Sequence, residues 1–231
     1  MKARLLLIAT LLLSPLSWAN CAVENANPEQ NVKTCSLAAS GGDADAQKAL
    51  GSFYYSGQGV QQSYADALHW FTLAAAQNHA IATYNVGVLH DKGLGLEKDY
   101  KEAGKWYRKA ADLGYSTAQY NLGIMYEYGQ TVDEDPALAM TLYHKAAEQG
   151  EAAAQFAIGL MYDKGIGVDK DPTEAYKWWQ IAGAGHPHAL NNRDSIAAEM
   201  TPMQISEGKR LAQRWLDARP GLVQLPALEL Q

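Results

Sequence analysis

Residues 46–60, AQKALGSFYYSGQGV, decide the fold, because their pattern recurs three more times at a spacing of 36 residues. A glycine at the sixth position of this stretch serves as the reference point of each copy. A fixed period of this length, without insertions across four copies, is typical of an array of one repeated supersecondary unit. The reference glycines are Gly51, Gly87, Gly123 and Gly159.

The first half of each copy predicts a helix. Four positions of each copy lie on one stripe of a helix, at i, i+4, i+5 and i+8. They hold, in this order, alanine, an aliphatic residue, the reference glycine and an aromatic residue. A second glycine, six residues after the reference glycine, is expected to end this helix in a left-handed conformation. The aromatic positions are Tyr54, His90 (the departure), Tyr126 and Tyr162, and the second glycines are Gly57, Gly93, Gly129 and Gly165.

The second half of each copy predicts another helix, which starts at a residue suited to accept free backbone N–H groups. Proline follows two of these N-caps at the first helical position, where its missing N–H costs nothing. Acidic residues three positions after the cap indicate capping boxes in three copies. Small residue pairs allow close helix packing, and aromatic residues are expected to fill the space between successive helix pairs. The N-caps are Ser63, Asp99, Asp135 and Asp171, the acidic residues are Asp66, Glu102 and Glu174, and the aromatic residues are Phe71, Tyr107, Tyr143 and Trp179.

The segments that flank the four copies resemble incomplete units. Residues 20–42 contain a predicted helix over 32–40 that matches the second half of a unit. After the repeats, which cover residues 43–186, two further helices are predicted over 187–200 and 201–216, within a segment that extends to residue 217. Atypical end units of this kind cap solenoids. Residues 218–231 are expected to form a loose tail.

The first 19 residues predict a secretory signal peptide and therefore a periplasmic protein. Lys2 and Arg4 precede an apolar run over residues 5–13, and small residues lead to a cleavage site after Ala19. The apolar run is too short to span a bilayer as a helix. Cys21 leaves open the alternative of a lipid-anchored protein, although Asn20 occupies the position where lipid-anchor signals need a small residue.

The charge balance argues against nucleic acid as a partner. Without residues 1–19, the 19 basic residues of the chain fall to 17, against 25 acidic residues, which gives a net charge of −8. Phosphate binding requires a basic face, and the sequence contains no cluster of lysine and arginine. The mature length of about 212 residues is enough to bury a sizeable core as one array, and we expect a monomer.

Cys21 and Cys35 are the two cysteines of the chain. Because exported chains meet an oxidising compartment, we predict that they form a disulfide bond. The closed loop would contain about 15 residues and contribute about 3 kcal/mol in the chain-entropy model. A free reactive thiol and an intermolecular bridge remain the alternatives.

The sequence contains no motif typical of catalysis or of a cofactor, since G-x-S-x-G, H-E-x-x-H and C-x-x-C are all absent. Three groups could bind a ligand, but each has a simpler explanation. An acidic triplet could hold a cation or form a solvated loop that ends in an N-cap. Two histidines could contribute to a metal site but lack a third ligand at a known spacing. Tryptophans could stack on a sugar, although their repeat positions favour the core. These groups are Asp133-Glu134-Asp135, His186 with His188, and Trp106 with Trp178-Trp179.

The repeated pattern resembles that of the Sel-one-like repeat family, a relative of the tetratricopeptide repeats. The first copy carries the family motif A-x-x-x-L-G-x-x-Y-x-x-G-x-G-V over residues 46–60, followed by A-x-x-W and Ala-Ala within residues 67–75. The resemblance is close over 43–186 and loose over 187–217, with departures at His90, Thr131 and Leu142. It implies a right-handed α-solenoid of antiparallel helix pairs that serves as an adaptor in protein assemblies.

The resemblance also suggests where a partner binds, since the first helices of such units line the concave side of the solenoid. Asparagine can both donate to and accept from a peptide backbone, and tyrosine supplies rigid contact area with a polar tip. The alternative for the asparagines is a purely structural bond to a neighbouring helix or loop that fixes the repeat spacing. The predicted binding residues are Tyr55, Tyr84, Asn85, Tyr120, Asn121 and Tyr128.

The predicted function is therefore that of an exported, non-catalytic adaptor or scaffold that binds a peptide or a protein and needs no cofactor or metal. The alternative is a cell-wall-active or hydrolytic envelope protein whose site is not recognisable in the sequence. A deep pocket with convergent titratable groups would favour this enzyme. A shallow groove lined by tyrosine and asparagine would favour the binding module.

Overall fold

The computed structural model describes residues 27–130 and 133–222. All regular structure in these two ranges is helical, which confirms the predicted all-α class. Two short 3₁₀ turns, Gly183–Gly185 and Pro220–Leu222, accompany the α-helices. In chain order the helices are α1 (Pro28–Ser40), α2 (Ala44–Ser56), α3 (Tyr64–Ala76), α4 (Ala80–Lys92), α5 (Tyr100–Asp112), α6 (Ser116–Glu127), α7 (Pro136–Ala147), α8 (Ala152–Lys164), α9 (Pro172–Ala182), α10 (Ala189–Ala197) and α11 (Pro202–Asp217).

The chain divides into two compact units, Met1–Gln77 and Asn78–Gln231, which we call unit 1 and unit 2. In unit 1, α1 packs on α2 and α2 packs on α3. In unit 2, each helix from α4 to α9 packs on the next, and α9 also contacts α10 and α11. Within each unit, helix pairs therefore follow one another in series, as predicted for an α-solenoid. The constant period of 36 residues does not reveal the division after Gln77.

The first helices end at the predicted glycines. In α2, α4 and α8 the C-cap is a left-handed glycine, with φ of 73°, 66° and 70° respectively. In the third copy the helix ends one residue earlier, with Tyr128 as the C-cap, and Gly129 follows with φ of 61°. Thr131, which departs from the glycine pattern, lies outside the described residues.

The turn from one helix pair to the next also requires a left-handed residue. In three copies this residue is glycine, and in one it is Asn78, with φ of 62°. Asn78 is the one non-glycine residue with positive φ in the described part of the chain. Asparagine tolerates this conformation because its short polar side chain can bond locally. The equivalent glycines are Gly42, Gly114 and Gly150.

All four predicted N-caps of the second helices are confirmed, since each side chain accepts backbone N–H groups two or three residues ahead. The capping boxes predicted at Asp66, Glu102 and Glu174 are wrong. In each copy the N-cap N–H donates to the carbonyl nine residues earlier, as Asp99 N does to His90 O at 2.9 Å. That N–H is therefore not available to a carboxylate, and this bond instead closes the loop onto the first helix.

The capping helices differ in extent from the sequence prediction. Helix α1 starts at Pro28 rather than at residue 32, because Asn27 acts as its N-cap. Helix α10 is shorter than predicted and covers Ala189–Ala197. Helix α11 begins at a complete capping box formed by Thr201 and Gln204.

Each reference glycine accommodates an aromatic ring from the second helix of its own pair. A Cβ atom built on Gly123 would lie 2.5 Å from Tyr143 Cε1, well inside van der Waals contact. The prediction of close helix contact at these glycines is confirmed. The rings thus occupy space within their own pair, and Tyr107 and Trp179 also belong to buried clusters that include residues of the following helix, such as Leu122 and Ile196 respectively. The four contacts are Gly51 with Phe71, Gly87 with Tyr107, Gly123 with Tyr143, and Gly159 with Trp179.

Buried glutamines connect the helix pairs, and the sequence analysis did not identify them. Gln119 Nε2 donates to Ala111 O at 3.3 Å, and Gln119 Oε1 accepts from Gln149 Nε2 at 2.8 Å. Gln119 is buried, so these bonds satisfy polar atoms that have lost access to water. The signal was present in the sequence, because glutamine recurs at this position in three of the four copies, at Gln47, Gln119 and Gln155.

The core of unit 1 includes Cys35, which is fully buried among Val32, Ala38, Ala46 and Leu50. Its predicted disulfide partner, Cys21, lies outside the described residues, as does the predicted signal peptide over 1–19. The disulfide bond therefore stays a prediction. Among the described residues, no helix combines the length and the apolar character needed to cross a membrane.

Candidate functional site

Unit 2 brings together two of the predicted binding residues, Tyr84 on α4 and Asn121 on α6. Asn121 Nδ2 donates to Tyr84 Oη at 3.0 Å, and both side chains are half-buried. The Tyr84 ring stacks on Tyr107 with centroids 5.3 Å apart and meets Tyr115 edge-on at 5.1 Å. Burial raises the pKa of Tyr84, while the bond from Asn121 lowers it. Asn121 thus forms a bond to a neighbouring helix, of the kind that the structural alternative expects, and this bond holds Tyr84 in position.

Tyr120 directly precedes Asn121 on α6. Its ring packs against that of Tyr143, with the ring centroids 5.7 Å apart. Tyr143 is fully buried, and its hydroxyl donates to Glu127 Oε2 at 2.6 Å. Burial raises the pKa of Tyr120, and the charges of Glu151 and Glu127 raise it further. Tyr120 therefore stands on a fixed aromatic support with carboxylates on two sides.

Glu151 links the start of α6 to the start of α8. Its Oε2 accepts from Thr117 Oγ1 at 3.1 Å and from Ser116 Oγ at 3.4 Å. The charge of Glu151 also contributes to the raised pKa of Tyr84. We use the name tyrosine face for the surface of unit 2 formed by Tyr84, Tyr120, Asn121 and Glu151.

The other predicted binding residues are less closely integrated. Asn85 is half-buried and forms no side-chain hydrogen bond with the described residues. Tyr128 is 65% exposed, and the charge of Glu127 raises the pKa of its hydroxyl. Tyr55 belongs to unit 1, where its ring meets Tyr64 edge-on at 5.6 Å. That these residues bind a partner remains a prediction.

The alternative ligand groups have structural explanations. Trp178 and Trp179 are each 2% exposed, so the core interpretation is confirmed for both. Asp135 is the N-cap of α7. His186 stacks on Phe156 with centroids 3.9 Å apart, and His188 meets His186 edge-on at 5.9 Å. Across the described ranges, no three His, Cys, Asp or Glu side chains are arranged to hold a metal ion.

A series of carboxylates in unit 2 was missed by the sequence analysis. One acidic residue lies at or near the end of each of α4, α6, α8 and α10, again at intervals of 36 residues. Aligning the copies at the repeat period reveals it, but the functional pattern was sought among asparagines and aromatic residues. The carboxylate series consists of Asp91, Glu127, Asp163 and Glu199.

A family model for the Sel1 repeat matches residues 44–79, 80–115, 116–151 and 152–185. The chain belongs to the Sel1 repeat family. The four matches correspond to the helix pairs α2–α3, α4–α5, α6–α7 and α8–α9, each with its following turn. They confirm the resemblance seen in the sequence. Sel1 repeats form a protein–protein interaction fold, and proteins of this family are in general non-catalytic scaffolds.

Two solved Sel1-type structures resemble the chain over most of its length. A protective antigen of uropathogenic Escherichia coli, c5321, which displays an SLR fold, is 30% identical with a TM-score of 0.79 over 93% of this chain and 47% of its own. A Sel1 repeat protein from Oxalobacter formigenes is 36% identical with a TM-score of 0.69 over 73% and 49%. The chain thus spans about half the length of either structure.

A third structure, the immunity protein Pa5087 from Pseudomonas aeruginosa, is similar in fold alone. It is 22% identical, with a TM-score of 0.54 over 91% of this chain and 86% of its own. No curated protein matches the chain significantly. For this Sel1 repeat protein, the comparisons support the fold and the general class of protein interaction.

Proposed function

We propose that this Sel1 repeat protein is an exported, non-catalytic adaptor that binds a peptide or a protein segment at the tyrosine face of unit 2. The observation that carries the proposal is the arrangement of Tyr84, Tyr120 and Asn121, half-buried aromatic and amide groups that neighbouring side chains hold in place. Preorganised side chains lose little conformational entropy on binding, which favours affinity.

The face keeps unused hydrogen-bonding capacity. Asn121 donates to Tyr84 through Nδ2, while Oδ1 can accept a backbone N–H of a partner. Tyr84 Oη accepts this bond and can still donate its own proton. Asn85 adds a complete amide group without an internal partner among the described residues. A bound peptide could therefore pair its backbone with this face irrespective of its sequence.

The double variant Asn85→Ala with Asn121→Ala tests the binding role. We expect capture of a partner, measured by crosslinking in cells and affinity purification of the full chain, to fall at least about tenfold, equivalent to about 1.4 kcal/mol. Loss of the bond to Tyr84 should cost about 1 kcal/mol of stability, which a urea titration would detect.

Two further variants separate binding from structure. Tyr84→Phe removes the bond to Asn121 and one donor of the tyrosine face but leaves both asparagines, so it should lower stability and weaken capture less than the double variant does. Asn191→Ala removes an exposed asparagine on α10 and serves as the matched control. If capture by the double variant equals that of the unmodified protein, the asparagines only fix the repeat spacing and the proposed site is incorrect.

Export rests on Lys2, Arg4 and the apolar run over residues 5–13. Fractionation followed by mass spectrometry of the mature N-terminus tests it. We expect the protein in the periplasmic fraction with Asn20 as its first residue. A full-length chain in the cytoplasm, or a lipid-modified Cys21, would contradict this part of the proposal.

A further inference from the structure

A cleft of 240 Å³ lies at the C-terminal end of unit 2, between α8, α9 and the segment around α10. Trp179 and Ile196 form its apolar part, and Asp163 and Glu199 supply two carboxylates. This volume is below the roughly 300–1,000 Å³ of typical small-molecule sites and is suited to one side chain. Asn192 and Ser195 complete the lining.

The two cleft carboxylates belong to the carboxylate series, but their surroundings differ from those of the other two members. Glu127 accepts a hydrogen bond from the Tyr143 hydroxyl, and in the second copy burial and then the charge of Asp91 raise the pKa of Tyr107. In the fourth copy the tyrosine is replaced by Trp179, whose indole N–H donates to Phe156 O at 3.2 Å. Asp163 therefore lacks the hydroxyl that engages its counterparts.

One cation lies next to the cleft. The described residues that line the cleft include no lysine, arginine or histidine. Lys170 approaches Asp163 from outside at 3.9 Å, with the two side chains 65% and 34% exposed, so solvent weakens this pair. Glu199, Asn192 and Ser195 form no side-chain hydrogen bond or ion pair with the described residues. Two negative charges and two neutral polar groups are thus available to a ligand.

We propose that this cleft receives a lysine or arginine side chain from the peptide or protein that the tyrosine face binds. Trp179 and Ile196 form the floor of the cleft but are only 2% and 8% exposed, so binding depends on the charged head, which can reach Asp163 and Glu199. Asn192 and Ser195 can accept the remaining N–H donors. The chain carries a net charge of −6, so it also attracts a basic partner electrostatically as the two molecules approach each other.

This inference rests on the proposed function, but the cleft can be tested separately. Nuclear magnetic resonance of the 15N-labelled full chain would follow the Trp179 indole N–H and the backbone of residues 192–199. The probes are Nα-acetyl-lysine methylamide, its arginine counterpart and Nα-acetyl-norleucine methylamide. We expect saturable shifts with the two basic probes, with Kd on the order of millimolar, and none with the norleucine probe.

A double variant and its control test the carboxylates. Asp163→Asn with Glu199→Gln should weaken binding of the lysine probe about tenfold, because each partly exposed ion pair contributes up to about 1 kcal/mol. Asp112→Asn with Asp169→Asn removes two exposed carboxylates outside the cleft and should leave binding unchanged. Since the four residues are all at least partly exposed, circular dichroism should show intact helices in both variants.

The outcomes separate the inference from the proposed function. Selection of a random peptide library on the full chain should enrich lysine and arginine, and the enrichment should disappear in the Asp163→Asn, Glu199→Gln variant. If peptides bind the tyrosine face but the lysine probe causes no shift, the inference is overturned and the proposed function stands. If the lysine probe binds but no peptide is selected, the result supports the cleft as a site for a basic side chain and contradicts the proposed function. Shifts caused by Ca²⁺ but by neither basic probe would assign the cleft to a metal ion and overturn the inference.

Discussion

At the scale of single residues, the reference glycines show how directly the sequence encodes close packing. A glycine repeated at a period of 36, one helical turn from an aromatic residue, predicts a place where a helix must approach its neighbour. The sequence alone could not tell that the approaching group is an aromatic ring 20 residues later in the chain. The structure supplies this pairing, because Gly123 lies against Tyr143 and Gly51 against Phe71.

The substitution Gly123→Leu should therefore destabilise the protein. Even a Cβ atom at this position would lie 2.5 Å from the fully buried Tyr143 ring, whose hydroxyl is held by Glu127. We expect a loss of about 1–3 kcal/mol or more in the free energy of unfolding, measured by urea titration. Gly221→Ala is the control, because a Cβ atom there has no neighbour within 4 Å. An unchanged midpoint for Gly123→Leu would mean that the helix pair is packed differently.

Tyr143 should also make the stability depend on pH in the alkaline range. Burial, and then the bond to Glu127, raise the pKa of Tyr143 above its usual 10. The folded state thus holds this proton more tightly than the unfolded state, so the contribution is complete below pH 10 and is lost as the pH rises above it. Burial and Asp91 raise the pKa of Tyr107 in the same direction.

The variant Tyr143→Phe isolates this contribution. Between pH 10 and pH 11.5, the unfolding free energy of the unmodified protein should fall more steeply, by about 1.4 kcal/mol per pH unit, than that of the variant. Equal slopes for the protein and Tyr143→Phe would contradict the raised pKa.

At the scale of elements, the ends of the helices were more predictable than their connections. N-caps and glycine stops act through the backbone of their own helix, so a local pattern such as Asp171-Pro172 is enough to predict them. The glutamine bonds depend on residues 8 and 30 positions away, as in Gln119 with Ala111 and Gln149. Local sequence patterns do not predict contacts over such separations in the chain. The recurrence of glutamine at the repeat period does mark the position.

The arrangement of the candidate binding residues was predictable only in part. Tyr84 and Asn121 stand on the flank of the first helix that the repeat pattern leaves free, which the sequence shows. Their mutual bond was not predicted, because it joins residue 84 of one copy to residue 121 of the next, one position out of register. Such an offset depends on how two helices lie against each other, which is a property of the packing.

The buried glutamine should be replaceable only together with its partner. Gln119→Leu removes the bonds of Gln119 to Ala111 O and to Gln149 Nε2, although Gly114 N still donates to Ala111 O and Gln149 Nε2 to Lys145 O, so the loss should be about 1 kcal/mol of stability. The second copy shows an alternative pair, with Thr83 and Leu113 at the two positions.

The double variant Gln119→Thr with Gln149→Leu reproduces that alternative. We expect it to be more stable than Gln119→Leu in thermal and urea unfolding, since threonine can bond within its own helix, as Thr83 does to His79 O at 3.0 Å, and the second copy combines threonine with leucine at these two positions. A double variant less stable than the single variant would show that the two glutamines are not coupled in this way.

At the scale of the whole molecule, the sequence predicts four similar copies, whereas the structure contains two compact units. In unit 1, α1 and α2 share a buried cluster that contains Cys35 at 0% exposure. This cluster is small, with alanine at four of its seven buried positions. A covalent bond to the segment before α1 would therefore matter more here than in the larger unit 2.

Reduction of the predicted bond between Cys21 and Cys35 should accordingly open one end of the molecule and leave the rest folded. Hydrogen exchange followed by mass spectrometry, with and without dithiothreitol, should show faster exchange over α1 (Pro28–Ser40) and no change over α4–α9, because local opening costs less than global unfolding. Cys21→Ser should show the fast exchange without reductant.

Thiol labelling of the non-reduced periplasmic protein tests whether the disulfide bond between Cys21 and Cys35 forms, since two reactive thiols after denaturation would mean that it does not. Faster exchange throughout α4–α9 on reduction would instead show that the bond supports the whole chain and that opening is not confined to unit 1.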